Sequence, residues 1–168
     1  MREAGLLLAS MLLFALLSCT PDASKLEALD KDGNVQAYVE TAAGSTPSKN
    51  FDFLAAPGNL GSIPGTNLEV LILGQAAKSG KVVKILPIAL INLAEGETES
   101  SVVIAVPIEK EKQTIKAEKY SSLLTEYHLA HQMVQNWFLG RNGLGKTRLR
   151  GWEDETAARA LINSSSES

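Results

Sequence analysis

Pro57-Gly58-Asn59-Leu60-Gly61-Ser62-Ile63-Pro64-Gly65-Thr66, followed by Leu68-Glu69-Val70-Leu71-Ile72-Leu73, decides how this chain is read. The first part carries two prolines and three glycines. Proline fixes φ, and glycine admits left-handed backbone and close approach of a neighbouring chain. The stretch therefore reads as a rigid turn feeding a strand. The strand from Leu68 to Leu73 is apolar on both faces except at Glu69, so it must be buried on both sides at the centre of a core.

Short strands and tight turns surround that centre. Asp32-Gly33-Asn34 is a turn signal ahead of a strand at 35–40. A Gly/Ser/Thr/Pro loop over 43–48 leads to a short strand near 50–54. Residues 82–93 form a long apolar segment interrupted by Pro87, which marks a bulge or an unpaired edge. A glutamate-rich turn over 94–100 precedes a strand at 101–106, ended by Pro107. Residues 120–139 have helical spacing, with Leu123, Tyr127, Ala130, Val134 and Phe138 on one stripe. Gly140 to Gly145 break that helix, a strand with alternating basic residues follows at 146–151, and a helix closes the domain at 153–162. The pattern predicts a mainly β fold with flanking helices, built on a small closed or partly closed barrel.

The N-terminus reads as a removable leader. Arg2 is the basic region, Leu6 to Leu17 the apolar region, and Ser18 the small residue before Cys19, the only cysteine. The apolar run is too short to span a bilayer comfortably. Leu16-Leu17-Ser18-Cys19 resembles the lipobox of bacterial lipoproteins, in which the cysteine is acylated and becomes the new N-terminus. The alternative is an ordinary secretory leader with an incidental cysteine. Several acyl chains on Cys19 give stable membrane attachment without a spanning segment. On this reading residues 1–18 are the signal peptide, 19–24 a lipidated tether, 25–162 the barrel domain and 163–168 a disordered tail. The protein is then a membrane-anchored lipoprotein of the cell envelope, facing the periplasm or the exterior. The 168-residue chain has a formal net charge of −3, which gives no reason to expect nucleic acid as a partner.

Four motifs, in register, are similar to those of the soluble inorganic pyrophosphatase family. Val39-Glu40 with Ala43-Gly44-Ser45 resembles the family's I-E-I-P-A-G-S strand. The opening stretch resembles P-x-N-Y-G-F-I-P-x-T. Ala94-Glu95-Gly96-Glu97-Thr98-Glu99, then Ile104-Ala105-Val106-Pro107, resembles D-E-G-E-x-D followed by I-A-V-P. His131, Gly145-Lys146 and Gly151-Trp152-Glu153 resemble the H-F-F helix, G-K and G-W-E. The resemblance spans 35–162 and implies a five-stranded OB-like barrel with flanking helices. It also implies magnesium as cofactor, diphosphate or phosphate as ligand, and hydrolysis of diphosphate to two phosphates as the family reaction.

The residues expected to carry that reaction are mostly replaced. Such hydrolysis needs metal ions to neutralise a dense anion and to make a nucleophile of water. The family's metals sit on aspartates of D-x-D-P-x-D-V-L and D-E-G-E-x-D. Here Thr66-Asn67-Leu68-Glu69 stands in place of the first group, leaving Glu69; in the second, Ala94 and Glu99 replace the outer aspartates. Each surviving metal candidate, Glu69 and Glu99, is longer than aspartate by a methylene, and magnesium tolerates little displacement. Glu40, Glu95 and Glu97 are retained, and Lys49 matches a family lysine, while Phe51 takes a glutamate's place. Leu60 replaces a tyrosine, Ser101 falls near a missing lysine, and Asn136-Trp137 sits where Y-K is expected.

Glu69, Glu97 and Glu99 leave two readings open: a weak divalent-metal site, or a strand-edge carboxylate beside a solvated acidic turn. His128 and His131 have a zinc-like spacing without an evident third ligand, and Tyr127, His131 and Trp137 suit core packing. Arg148 and Arg150 suit either an anion grip or a solvated basic face. Function is expected to be that of a degraded, inactive diphosphatase serving in binding or structure; the alternative is a weak or repurposed metal-dependent phosphohydrolase.

Mass spectrometry of the mature N-terminus tests the anchor. A diacylated or triacylated Cys19 as first residue is expected, and an unmodified Cys19 or cleavage elsewhere overturns it.

Overall fold

The computed structural model describes residues 25–46 and 54–167. Six strands form one sheet: β1 (Val35–Thr41), β2 (Asn59–Ser62), β3 (Glu69–Ile72), β4 (Val82–Glu95), β5 (Thr98–Pro107) and β6 (Thr147–Asp154). Their order is β1-β2-β3-β5-β4-β6, and β1 also pairs with β4. That extra pairing closes β1, β2, β3, β5 and β4 into a ring, with β6 outside it. The ring of five strands expected from the sequence is present.

β4 makes the closure possible. Its first residues, Val82 to Ile85, pair antiparallel with β1, while Ala89 to Glu95 pair with β6 on the same edge. β5 occupies the other edge from Ile85 to Glu95. Pro87 lies between the two stretches, and the ladder to β5 shifts register between Pro87 and Ala89. The bulge predicted at Pro87 is therefore where the strand changes partner, which re-aims it without unpairing it from β5.

The apolar run at β3 lies between β2, antiparallel, and β5, parallel. Its alternate side chains feed two clusters. Val70 and Ile72 join Ala37, Val39, Ile85 and Val103, with Ala158 and Ile162 added from a helix, α3 (Glu155–Ser166). Leu71 and Leu73 join Ile91, Ile104 and Val106, together with Leu123, Val134 and Phe138 from two further helices. Burial on both faces explains why β3 lacks polar alternation.

Three local departures from the sequence reading have physical causes. Asn59–Ser62, read as part of a turn, is a strand paired with β1 and β3. An added Cβ at Gly61 would lie 2.0 Å from the Tyr38 carbonyl oxygen, and one at Gly58 2.4 Å from that of Ile72, so these glycines serve strand approach. Asn59 is buried; its side chain accepts from the N–H of Ala43 and Ala77 at 3.0 and 2.7 Å and donates to the Gln75 carbonyl at 2.9 Å.

The single helix expected over 120–139 is two, α1 (Tyr120–Thr125) and α2 (His128–Gly140). Tyr127 leaves helical geometry at φ −124, ψ 36. Thr125 Oγ1 donates to the Ser121 carbonyl at 2.9 Å, a bond that competes with helix continuation. At the other end, α3 starts at Glu155 and runs to Ser166, so residues 163–166 are helical where a disordered tail was expected. Asp154 caps it, accepting from Thr156 and Ala157 N–H at 3.0 and 3.1 Å. The short strand expected near 50–54 falls mostly outside the described residues.

The α1–α2 break sets up an aromatic cluster. His131 lies 4.3 Å from the ring of Trp152, and Tyr120 stacks on Trp152 at 5.9 Å. Trp152 Nε1 donates to Gln135 at 3.1 Å, whereas His131 Nε2 is buried without a partner among the described residues. Burial holds the imidazole below its usual range. His131 is thus packing, and His128 is exposed at the start of α2.

Two tests follow from this packing. Gly61→Ala is expected to destabilise the domain by about 3 kcal/mol or more in urea unfolding, because backbone blocks the new methyl group. Because the folded state favours neutral His131, its contribution is present above the unfolded-state value of about 6.5 and is lost as pH falls below it. Lowering pH from about 7.5 to about 5.5 should lower the urea midpoint of the native chain more than that of His131→Phe.

Candidate functional site

The ring's strands bring three positions to one end. Glu40 lies near the end of β1, Ser62 at the end of β2 and Glu69 at the start of β3, with Ser62 opposite Glu69 in the ladder. A cavity of about 520 Å³ opens there, lined by Glu40, Thr41, Ser62, Asn67 and Glu69 from the strands and their connection. Trp137, Arg141 and Asn142 complete it from the end of α2. The volume is in the range of small-molecule sites.

Each carboxylate at this end holds a partner from the chain itself. Ser62 Oγ donates to Glu40 at 2.8 Å. Arg141 Nη1 and Nη2 donate to the two oxygens of Glu69 at 2.5 and 2.8 Å, a bidentate fork. The pair is half-buried, with side-chain exposures of 19% for Arg141 and 34% for Glu69. The guanidinium also lies over the rings of Phe138 and Trp137, at 4.6 and 5.4 Å from their centres. It immediately follows α2, whose C-terminal carbonyls favour a cation.

The next residue reaches a second acid. Asn142 Nδ2 donates to Glu95 Oε1 at 2.5 Å, and Thr147 Oγ1 donates to the same oxygen at 2.8 Å. Hydrogen bonds from Asn142 and then Thr147 hold the Glu95 carboxyl below the usual range, and the charges of Arg141 and Lys146 act in the same direction. Arg141-Asn142 thus joins an acid on β3 to one at the end of β4.

The remaining sequence candidates are dispersed. Glu97 is exposed in the β4–β5 turn, where Gly96 has φ +61. Glu99 pairs with Arg150 at 2.9 Å on an exposed stretch, and Arg148 Nη2 donates to the Gly96 carbonyl at 3.0 Å. Lys49 lies outside the described residues. Arg141 and Asn142 did not stand out in the sequence because 140–145 reads as a helix breaker. The available signal was an arginine and an asparagine inside an otherwise Gly-rich loop.

Comparison with known proteins places this geometry. The family model for inorganic pyrophosphatase matches residues 29–168. The fold resembles an inorganic pyrophosphatase from Helicobacter pylori, with TM-score 0.73 and 18% identity over 85% of this chain and 97% of that one. It resembles the Neisseria gonorrhoeae enzyme with TM-score 0.72 and 19% identity, covering 86% and 96%. For the Thermus thermophilus enzyme the TM-score is 0.71 and the identity 20%, covering 88% and 98%. Comparison with curated protein sequences gives no match.

The family generally uses magnesium, which takes near-octahedral oxygen ligands at about 2.0–2.1 Å. Both oxygens of Glu69 are committed to Arg141, and an oxygen each of Glu40 and Glu95 to Ser62 and to Asn142 with Thr147. Among the described residues no three His, Cys, Asp or Glu side chains are grouped to hold a metal ion. The described residues do not fit the ion. In fold and in sequence pattern alike, this chain belongs to the inorganic pyrophosphatase family.

Proposed function

We propose that this protein is a lipoprotein of the cell envelope that has kept the pyrophosphatase fold but does not hydrolyse diphosphate, and that it works by binding or as a structural partner. The single observation that carries this reading is the Arg141–Glu69 fork. Diphosphate hydrolysis draws its rate from metal ions and fixed cations around the transferring phosphoryl group. At this site the surviving acid of the first metal group is neutralised by an arginine instead. The candidates of the second group, Glu97 and Glu99, lie in or beside an exposed turn, Glu99 already paired with Arg150.

Removing one preorganised donor from such a site typically costs about 10²–10³ in kcat. Leu60, Ser101 and Asn136-Trp137 replace phosphate-holding groups of the family pattern, so several donors are lost together. Leu60 is buried in the core and forms part of the cavity wall, an apolar packing residue there. The leader that ends just before Cys19 supports export and lipid anchoring, which removes the protein from cytosolic diphosphate.

Phosphate release from diphosphate by the purified full chain, with magnesium, manganese or zinc, tests the reading. No metal-dependent turnover is expected. Turnover that requires a metal and disappears on Glu99→Ala or Glu69→Ala would establish the weak phosphohydrolase reading in its place.

A further inference from the structure

Among the described residues, three charged side chains line the cavity: Glu40, Glu69 and Arg141. With the fork closed, Glu69 and Arg141 cancel, and Glu40 leaves one net negative charge held by a serine hydroxyl. The other polar side chains that the described residues place on the wall, from Thr41, Ser62, Thr66, Asn67, Trp137 and Asn142, are neutral. Such a lining repels a dense anion, and it offers a divalent cation only one carboxylate free of an ion pair.

We propose that the Arg141–Glu69 pair is a lock built into the cavity, in which the guanidinium serves as the site's own cation and keeps both metal ions and phosphate out. The proposal deepens the reading that the site is not hydrolytic, by naming what closes it. Exposed ion pairs of long side chains are often worth little, because they are hydrated and mobile. This one differs in three respects. Both N–H donors meet both carboxylate oxygens, at 2.5 and 2.8 Å. The guanidinium is flanked by the rings of Phe138 and Trp137. It also sits at the end of α2, where the helix dipole favours positive charge. The arginine is therefore positioned from three sides before any ligand arrives.

Breaking the lock from either side opens a site of opposite kind. Without the guanidinium, Glu69 and Glu40 line one cavity with Asn67 and Asn142, whose side chains each carry an amide oxygen. An all-oxygen set with two carboxylates suits a hard divalent cation that keeps some of its waters. Without the Glu69 carboxylate, the same preorganised guanidinium presents a free fork beside Asn142, a geometry that matches a phosphate oxyanion.

Calorimetric titration of the full-length chain tests both sides, with Mn²⁺ and inorganic phosphate as probes. The native chain is expected to bind neither measurably. Arg141→Met is expected to gain Mn²⁺ binding with a dissociation constant on the order of 10⁻⁴–10⁻³ M, as for open oxygen-donor sites. Glu69→Gln is expected to gain phosphate binding about tenfold or more tighter than the native chain. Arg150→Met, which frees Glu99 on the exposed surface, should gain neither and controls for a general release of acidic charge.

The lock is overturned if the native chain binds Mn²⁺ as tightly as Arg141→Met, if Arg150→Met gains as much, or if a folded single variant fails to gain its ion. Circular dichroism and a melting curve establish folding, and if Arg141→Met does not fold, Glu69→Gln decides alone. Diphosphate turnover by the native chain would instead overturn the non-hydrolytic reading, so the two failures are told apart.

Discussion

The fold depends on one strand changing partner along one edge. β4 is long enough to hold β5 on one side while giving its first half to β1 and its second to β6. A flat, unbent strand would hold β1 and β6 side by side along one edge without closing a ring. The extra residue at the Pro87–Ala89 step bends β4, and a proline at that step cannot give a ladder hydrogen bond. Closing the ring removes most of the free strand edge and leaves β6 as the outer strand. Closure buries one face of β3 and β5, and the helices α1 and α2 cover the other.

Closure also fixes where the acids go. Because β1, β2 and β3 are consecutive neighbours, Glu40, Ser62 and Glu69 arrive at the same end of the ring whatever their chemistry. Glu95 arrives where β4 turns into β5, and the loop after α2 reaches both Glu69 and Glu95. A scaffold that gathers carboxylates must neutralise them, since carboxylates facing one low-dielectric wall repel. A divalent ion is one solution. Here the chain supplies another from its own sequence, an arginine against Glu69 and neutral amide and hydroxyl donors against Glu95.

Much of the architecture was legible because it rests on local signals. The apolar run at 68–73, the turn at 32–34, the bulge at Pro87 and the acidic hairpin each have a sequence signature, and each is found in place. What escaped depended on contacts between distant residues. The strand Asn59–Ser62 looks like a turn because its glycines are there for the backbones of Tyr38 and Ile72, which composition cannot show. The α1–α2 break arises at Tyr127, which no proline or glycine marks. The site was legible as a set of acids but not as a geometry. The partner of Glu69 lies 72 residues away, in a loop whose glycines drew the reading toward a chain break.

The opening stretch shows how sequence likeness and chemistry can separate on one fold. Gly58 and Gly61 admit neighbouring strands, Gly65 takes φ +70, Ile63 is fully buried, and Asn59 ties Ala43, Gln75 and Ala77 together. Removing the Asn59 amide would leave partly buried backbone groups of Ala43, Gln75 and Ala77 without this partner, at up to about 1–3 kcal/mol each. Every one of these residues is accounted for by folding alone, with no ligand invoked. The motif that most resembles the pyrophosphatases is therefore one the ring requires for its own stability. The acids around it carry no such requirement: a carboxylate at a strand end needs only a counter-charge, and an arginine meets that need as well as a metal ion does. A chain can then hold the motif and exchange the cation, and its likeness to an enzyme family measures the constraint on its backbone rather than the reaction at its surface.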